Sequence, residues 1–133
     1  MQDKKQNMKI MTKNKNKVAK EWKMYYADKK FSEFIRKRDG KCMRCGKSDR
    51  ILQNSHYWAR QYYSTRFDPQ NCIALCAYCH VLAPDCWQDD REKQYEAFML
   101  KRLGKAKFEA LKEKHYKPKK RREAILEVME FLS

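Results

Sequence analysis

Two cysteine pairs of identical spacing, Cys42-Met43-Arg44-Cys45 and Cys76-Ala77-Tyr78-Cys79, constrain this chain more than any other feature. A C-x2-C knuckle presents both sulfurs from one tight turn. Two of them, here thirty residues apart, can therefore set four thiolates tetrahedrally around one Zn2+. Cys72 and Cys86 lack that spacing and read as small core residues or free thiols. Disulfides are the competing use of six cysteines. Against them, Met1-Gln2-Asp3-Lys4-Lys5 leads into a lysine and asparagine run with no apolar stretch of the kind that directs secretion, and no segment approaches a membrane span. The expectation is a cytoplasmic protein, where thiols stay reduced and bind metal.

The rest of the composition makes such a staple necessary. Charged residues make up 37% of 133 residues and mean hydropathy is −1.04, so the core is small, and small cores need a metal or another cross-link. The formal net charge is +15, which points to a polyanion, because Lys and Arg displace condensed counterions from phosphate. The excess is uneven. Residues 1–41 hold fourteen Lys and Arg against five Asp and Glu, residues 91–133 hold thirteen against seven, and residues 42–90 hold five of each. A neutral centre between two basic arms suits a site that must admit a cation while its surroundings grip DNA or RNA.

Inside the zinc-pinned centre stand His56, then Asn71 after fourteen intervening residues, then His80 after eight more and directly behind Cys79. Arg60 and Arg66 fall between His56 and Asn71. This H, N, H order inside a C-x2-C, C-x2-C-H frame resembles the HNH, or ββα-metal, nucleases. Three further segments are similar to the phage recombination nucleases of the NinG/Rap family: Phe31-Ser32-Glu33-Phe34-Ile35-Arg36-Lys37-Arg38-Asp39, Ser64-Thr65-Arg66-Phe67-Asp68, and Tyr95 to Gly104. The similarity covers roughly residues 30–130.

The resemblance implies an α+β fold, a zinc-stabilised ββα-metal core with flanking N- and C-terminal helices. It also implies a DNA endonuclease that hydrolyses phosphodiester bonds of branched DNA, such as Holliday junctions or D-loops, in the host cytoplasm. His56 is then the general base, Asn71 orients it or ties the strands together, and His80 ligates a catalytic Mg2+ or Mn2+. Cys42, Cys45, Cys76 and Cys79 hold the structural zinc. A Cys3His zinc site using His80 is the alternative. Arg60 and Arg66 can clamp the scissile phosphate, and the cluster Lys119, Lys120, Arg121 and Arg122 can track the backbone. The chain departs from the pattern at Ser55, where many such nucleases carry an Asp or His metal ligand, and at Pro84, where a further histidine is absent. The metal would then rest on His80, water, phosphate oxygens and a group such as Asp85. Two rival readings remain: a sequence-specific or nicking HNH endonuclease of the homing or restriction type, and a non-catalytic zinc module that binds DNA. RNA remains an alternative substrate.

Four segments follow: a disordered basic tail at 1–17, a helical arm at 18–40, a nuclease core at 41–88 and a basic helical region at 89–133. Trp22, Tyr25, Tyr26, Phe31, Phe34 and Ile35 recur at helical steps, with Asp28 or Ser32 available to cap a break between two helices and Gly40 as the terminal cap. A strand is expected over 53–60. Pro69 marks a turn, residues 71–76 lead into the second knuckle, and a helix from Ala77 carries His80 on its first turn. Helices then follow from Asp89 or Asp90 to Leu103, from Ala106 to Tyr116, and beyond Pro118. The last has an apolar stripe of Ile125, Leu126, Met129 and Leu132, which is either core or the interface of a homodimer.

Overall fold

The computed structural model describes residues 21–133. The basic tail 1–17 and the start of the helical arm lie outside the described residues. Helix α1 (Met24–Asp39) buries Ala27, Phe31 and Ile35 on one stripe. It is a single helix. The expected break at Asp28 or Ser32 does not occur, because both side chains find partners off the backbone: Asp28 binds Arg66, and the Ser32 hydroxyl accepts from Arg36 Nε at 3.1 Å. Gly40 ends the helix in the left-handed region at φ 68°, donating its N–H to the Arg36 carbonyl at 2.9 Å, a geometry that costs glycine no Cβ clash.

The first knuckle follows, then β1 (Leu52–His56). A short helix α2 (Tyr63–Arg66) and a 3₁₀ turn (Pro69–Asn71) lead to β2 (Cys72–Cys76). The 3₁₀ turn opens with Asp68 accepting the Gln70 N–H at 2.9 Å and with Pro69 in its first turn, where a missing N–H costs nothing. The strands pair antiparallel with Leu52 opposite Cys76 and His56 opposite Cys72. The strand expected over 53–60 is thus five residues, 52–56. The register runs one bond past His56, Tyr57 N–H meeting the Asn71 carbonyl at 2.8 Å, and stops there because the opposite chain enters the 3₁₀ turn Pro69–Asn71. After β2 comes one π-helical turn (Tyr78–Leu82), which carries His80.

The C-terminal third is helical. A π-helical turn (Arg91–Tyr95) runs into α3 (Glu96–Leu103), followed by α4 (Lys105–Tyr116) and α5 (Arg121–Leu132). Strand β2 is buried along its whole length and lies between two cores. Ile73 and Leu75 join Tyr57, Trp87, Tyr95, Met99, Phe108 and Leu111 in one. Cys72 joins Ala27, Phe31, Ile35, Phe67, Ala124 and Val128 in the other. Burying a large side chain contributes about 1.5–3 kcal/mol, so this division ties both helical arms to the same small sheet. Cys72 and Cys86 are buried, as core residues should be.

The stripe of α5 is core, with a corrected membership. Ala124, Ile125 and Val128 are buried, Leu132 packs at the edge of the second core, and Leu126 is exposed. The buried side follows from where α1 and the Phe31–Phe34–Phe131 ring cluster lie. Arg38 and Asp39 anchor the end of α1 to the sheet: Arg38 donates to the carbonyls of Pro69 and Cys72 at 2.9 and 2.7 Å, and Asp39 accepts from Ala74 N–H at 2.8 Å. No described helix is long and apolar enough to cross a membrane.

Candidate functional site

Cys42, Cys45, Cys76 and Cys79 converge so that their sulfurs all lie within 4.8 Å of one another. The Cys45 and Cys76 sulfurs are 4.0 Å apart. A tetrahedral site with Zn–S of about 2.3 Å separates its sulfurs by about 3.8 Å, so these residues can hold one such ion after small adjustments. Burial raises the Cys42 thiol, but hydrogen bonds from the backbone of Cys45, Cys76 and Arg44 outweigh it and bring the group down to about 6. Burial, the neighbouring thiols and the Cys42 charge push Cys79 up to about 12. One thiolate thus opposes the next, and a dication among the sulfurs removes that opposition. His80 stands outside the sulfur cluster, which leaves all four ligands to cysteine.

Directly beside this cluster, a cleft of about 600 Å³ is lined by His56 and His80 together with Gln53, Asn54 and Arg60 from the β1 side, and by Asp28, Ser32 and Arg36 from α1. The last three follow one another at four-residue steps, so a single face of α1 forms the opposite wall. His56 is half-buried at the end of β1. Its Nε2 lies 2.9 Å from the Arg66 carbonyl. A carbonyl only accepts, so Nε2 carries the proton and Nδ1 keeps the lone pair. Burial holds this imidazole down at about 4, with the Arg66 carbonyl acting upward and the Arg60 charge downward. The ring is therefore neutral near pH 7.

Asn71 is fully buried and its hydrogen bonds go to the backbone rather than to the His56 ring. Its Oδ1 accepts the Trp58 N–H at 2.9 Å, and its Nδ2 donates to the carbonyls of Trp58 and Thr65 at 3.0 and 3.1 Å. One amide thereby clamps both ends of the loop between His56 and Arg66. It braces the His56 ring from behind, since the carbonyl that accepts from His56 belongs to the residue after Thr65. His80 Nδ1 lies 2.8 Å from Gln53 Oε1, and its backbone is fixed by its neighbour Cys79.

Ser55 is buried, with its hydroxyl 2.8 Å from the Tyr95 hydroxyl. The position before His56 thus serves the core here. Asp85 is equally remote from the cleft: it pairs with Arg44 at 2.7 Å. Among the described residues no group of three or more His, Cys, Asp or Glu other than the four cysteines is placed to hold a metal. The cleft offers His80, and Asn54, whose buried Oδ1 has no hydrogen-bond partner. Its one carboxylate, Asp28, is engaged by Arg66. This donor set fits a loosely held Mg2+ or Mn2+ that keeps waters and shares phosphate oxygens, and does not fit a caged ion.

The cationic residues divide. Arg60 lines the cleft with its side chain 61% exposed and only a 3.8 Å contact to Asp28. Arg66 is placed elsewhere, 12% exposed and bound to both Asp28 oxygens. Of the C-terminal cluster, Lys119 pairs with Glu127 at 2.8 Å and Arg122 pairs with Glu21, while Lys120 and Arg121 are exposed at the start of α5. Arg36, Gln53, Asn54 and Asp28 were not singled out from the sequence as site residues. The four-residue spacing of Asp28, Ser32 and Arg36 was a signal that could have found the α1 wall.

The profile of the Bacteriophage Lambda NinG protein family matches residues 1–131. The chain belongs to the NinG family. That match spans both basic arms as well as the cysteine-pinned centre. NinG is a phage recombination-related family, as the sequence resemblance implied. The comparisons with curated proteins and with solved structures each returned no match.

Proposed function

We propose that this NinG-family chain is a zinc-stabilised HNH endonuclease that hydrolyses phosphodiester bonds of branched DNA with Mg2+ or Mn2+. The observation that carries the reading is that His56 and His80 line one cleft, with the His56 proton committed to a main-chain carbonyl. In this reading β1, β2 and the turn bearing His80 are the ββα-metal unit. His56 Nδ1 takes the proton of the attacking water, a role that typically contributes roughly 100- to 10,000-fold. A bound phosphate raises the imidazole from its low free value toward the working range, because an anion favours the charged ring. Arg60 and Arg36 face the phosphate from opposite walls. His80 would hold the divalent metal by one ring nitrogen, and that metal, when bound, neutralises charge growing on the phosphate oxygens.

The test uses an end-labelled four-way junction and a matched linear duplex with the zinc-loaded protein, in Mg2+ or Mn2+ and with neither metal added, beside His56→Ala. Metal-dependent cuts favouring the junction and lost in His56→Ala are expected. Equal cutting of both substrates would retain the chemistry and remove the selectivity for branches. Tight binding with no scission under any divalent metal would make the chain a zinc-built DNA-binding module, a reading that the scarcity of carboxylates in the cleft supports.

A further inference from the structure

A second cavity, of about 630 Å³, shares no lining residue with the His56 cleft. Its aromatic wall centres on His115. The Trp58 ring stacks on it at 4.7 Å and 14°, and Tyr62 and Tyr116 meet it nearly edge-on at 4.6 and 4.8 Å. The cluster reaches the surface, with Tyr62 43% and Tyr116 71% exposed.

Charge narrows the occupant. Lys117 and Lys119 line the cavity and no carboxylate does. Lys119 is paired with Glu127, and Lys117 is exposed. Burial lowers the His115 pKa, so the central ring is neutral and adds flat stacking surface without charge. An aromatic wall beside a cation matches a nucleobase with its phosphate. Stacking on aromatic side chains is tolerant of sequence because every base has a π face. A paired duplex hides those faces in its own stack.

We propose that this aromatic shelf stacks an unpaired nucleobase of the DNA substrate. Its placement gives it consequence. Trp58 follows His56 by two residues, a backbone span of at most about 7 Å, and Asn71 grips both polar groups of the Trp58 backbone. A base held on the shelf therefore fixes where the paired region ends relative to the His56 cleft. The inference rests on the DNA reading proposed above, and not on catalysis.

The experiment places 2-aminopurine at an unpaired position of a flapped duplex and at a paired position of a matched linear duplex. Each is titrated with the zinc-loaded full chain without added Mg2+ or Mn2+. The expected result is quenching of the unpaired probe on binding. Tyr62→Ala/Tyr116→Ala should weaken binding of the flapped DNA by about 10- to 100-fold, with binding of the linear duplex changed by less than about 2-fold. Tyr62→Phe/Tyr116→Phe keeps the rings and should keep the affinity, and Tyr25→Ala, another exposed tyrosine, should change neither substrate. Equal losses on both DNAs, or no quenching, would overturn the proposal, and tighter binding of the matching unpaired RNA would overturn its commitment to DNA. Cleavage of the four-way junction in Mg2+ reports separately on the nuclease reading, which can fail while quenching persists.

Discussion

Asp28 grips Arg66 through two hydrogen bonds, Nε to Oδ1 at 3.0 Å and Nη2 to Oδ2 at 2.5 Å, and the carbonyl of that same arginine accepts the His56 Nε2 proton at 2.9 Å. The N-terminal helix therefore sets the orientation of the imidazole through one intermediary. Asp28→Asn keeps the shape but removes the charge opposite a guanidinium that is 12% exposed. We expect a loss of about 1–3 kcal/mol in stability, below the range for fully buried pairs, together with a fall in kcat. Urea unfolding and single-turnover cleavage measure the two, and Asp28→Glu should restore part of both. Unchanged kcat in a variant of unchanged fold would remove Asp28 from the positioning of His56.

Acid should act on His56 in two ways. The unfolded imidazole takes its proton near pH 6.5, whereas burial delays protonation in the folded chain to about 4. The unfolded state thus binds more protons between those values. Stability from this residue is fully present above pH 6.5 and is lost as pH falls toward 4, about 2 kcal/mol of it by pH 5. Comparing wild type with His56→Gln at pH 7.5 and pH 5 isolates the effect, because the thiolates titrate alike in both. Kinetically, the acid limb of kcat/KM should lie near the free value and that of kcat at higher pH, where bound phosphate raises the ring. Coincident limbs would contradict the phosphate contact.

The four-cysteine cluster should bind one equivalent of Zn2+ and couple it to folding. Cys76→Ser is expected to lose the metal and the cooperative transition, since the cluster joins the first knuckle to the end of β2 and fixes His80 through Cys79. Cys72→Ser and Cys86→Ser should retain full stoichiometry, both lying outside the sulfur cluster. Substituted Co2+ offers an optical check: four thiolates give a tetrahedral visible spectrum. A stoichiometry that falls in Cys86→Ser would change the ligand set.

What could be read from the amino-acid order was whatever repeats at fixed spacing. The knuckles, the Gly40 cap, the short strand into Cys76 and the helices that end at Gly104 and Tyr116 follow from local rules, and all are present. The meaning of Ser55 was not legible, because its partner Tyr95 is forty residues away. Asp28 looked like a cap for the same reason: nothing local indicates that Arg66, thirty-eight residues on, will claim it. Arg66 in turn read as a phosphate clamp because nothing local shows that its guanidinium is held by Asp28. The α5 stripe went astray because Leu126 and Met129 fit a helical period as well as Ala124 and Val128 do, and only the position of α1 chooses between them.

Asn71 holds the loop behind His56 with three hydrogen bonds and is fully buried. Asn71→Ala leaves the Trp58 N–H and two carbonyls without these partners, at about 1–3 kcal/mol for each group that water cannot reach. Asn71→Asp is the sharper probe. It keeps an acceptor for Trp58 N–H but turns a carboxylate oxygen toward two carbonyls that need a donor. Both variants should lower the urea midpoint, and at neutral pH Asp should do little better than Ala. A fully active, fully stable Asn71→Asp would show that the loop is held by other means.

Arg36 offers the clearest separation of binding from folding. Its guanidinium donates from Nε to the Ser32 hydroxyl on the same helix face, and among the described residues no carboxylate pairs with it. Arg38, two residues on, faces the sheet and docks the helix. If Arg36 meets a phosphate in the cleft, Arg36→Ala should weaken binding to all DNAs by a similar factor, about 10-fold, and reduce the slope of log K against log salt by about 1. The urea midpoint should stay close to wild type, whereas Arg38→Ala should lower it by disconnecting α1 from Pro69 and Cys72. An unchanged salt slope in Arg36→Ala would mean that the α1 wall shapes the cleft without contacting the backbone, leaving Arg60 as the only arginine there to receive the phosphate.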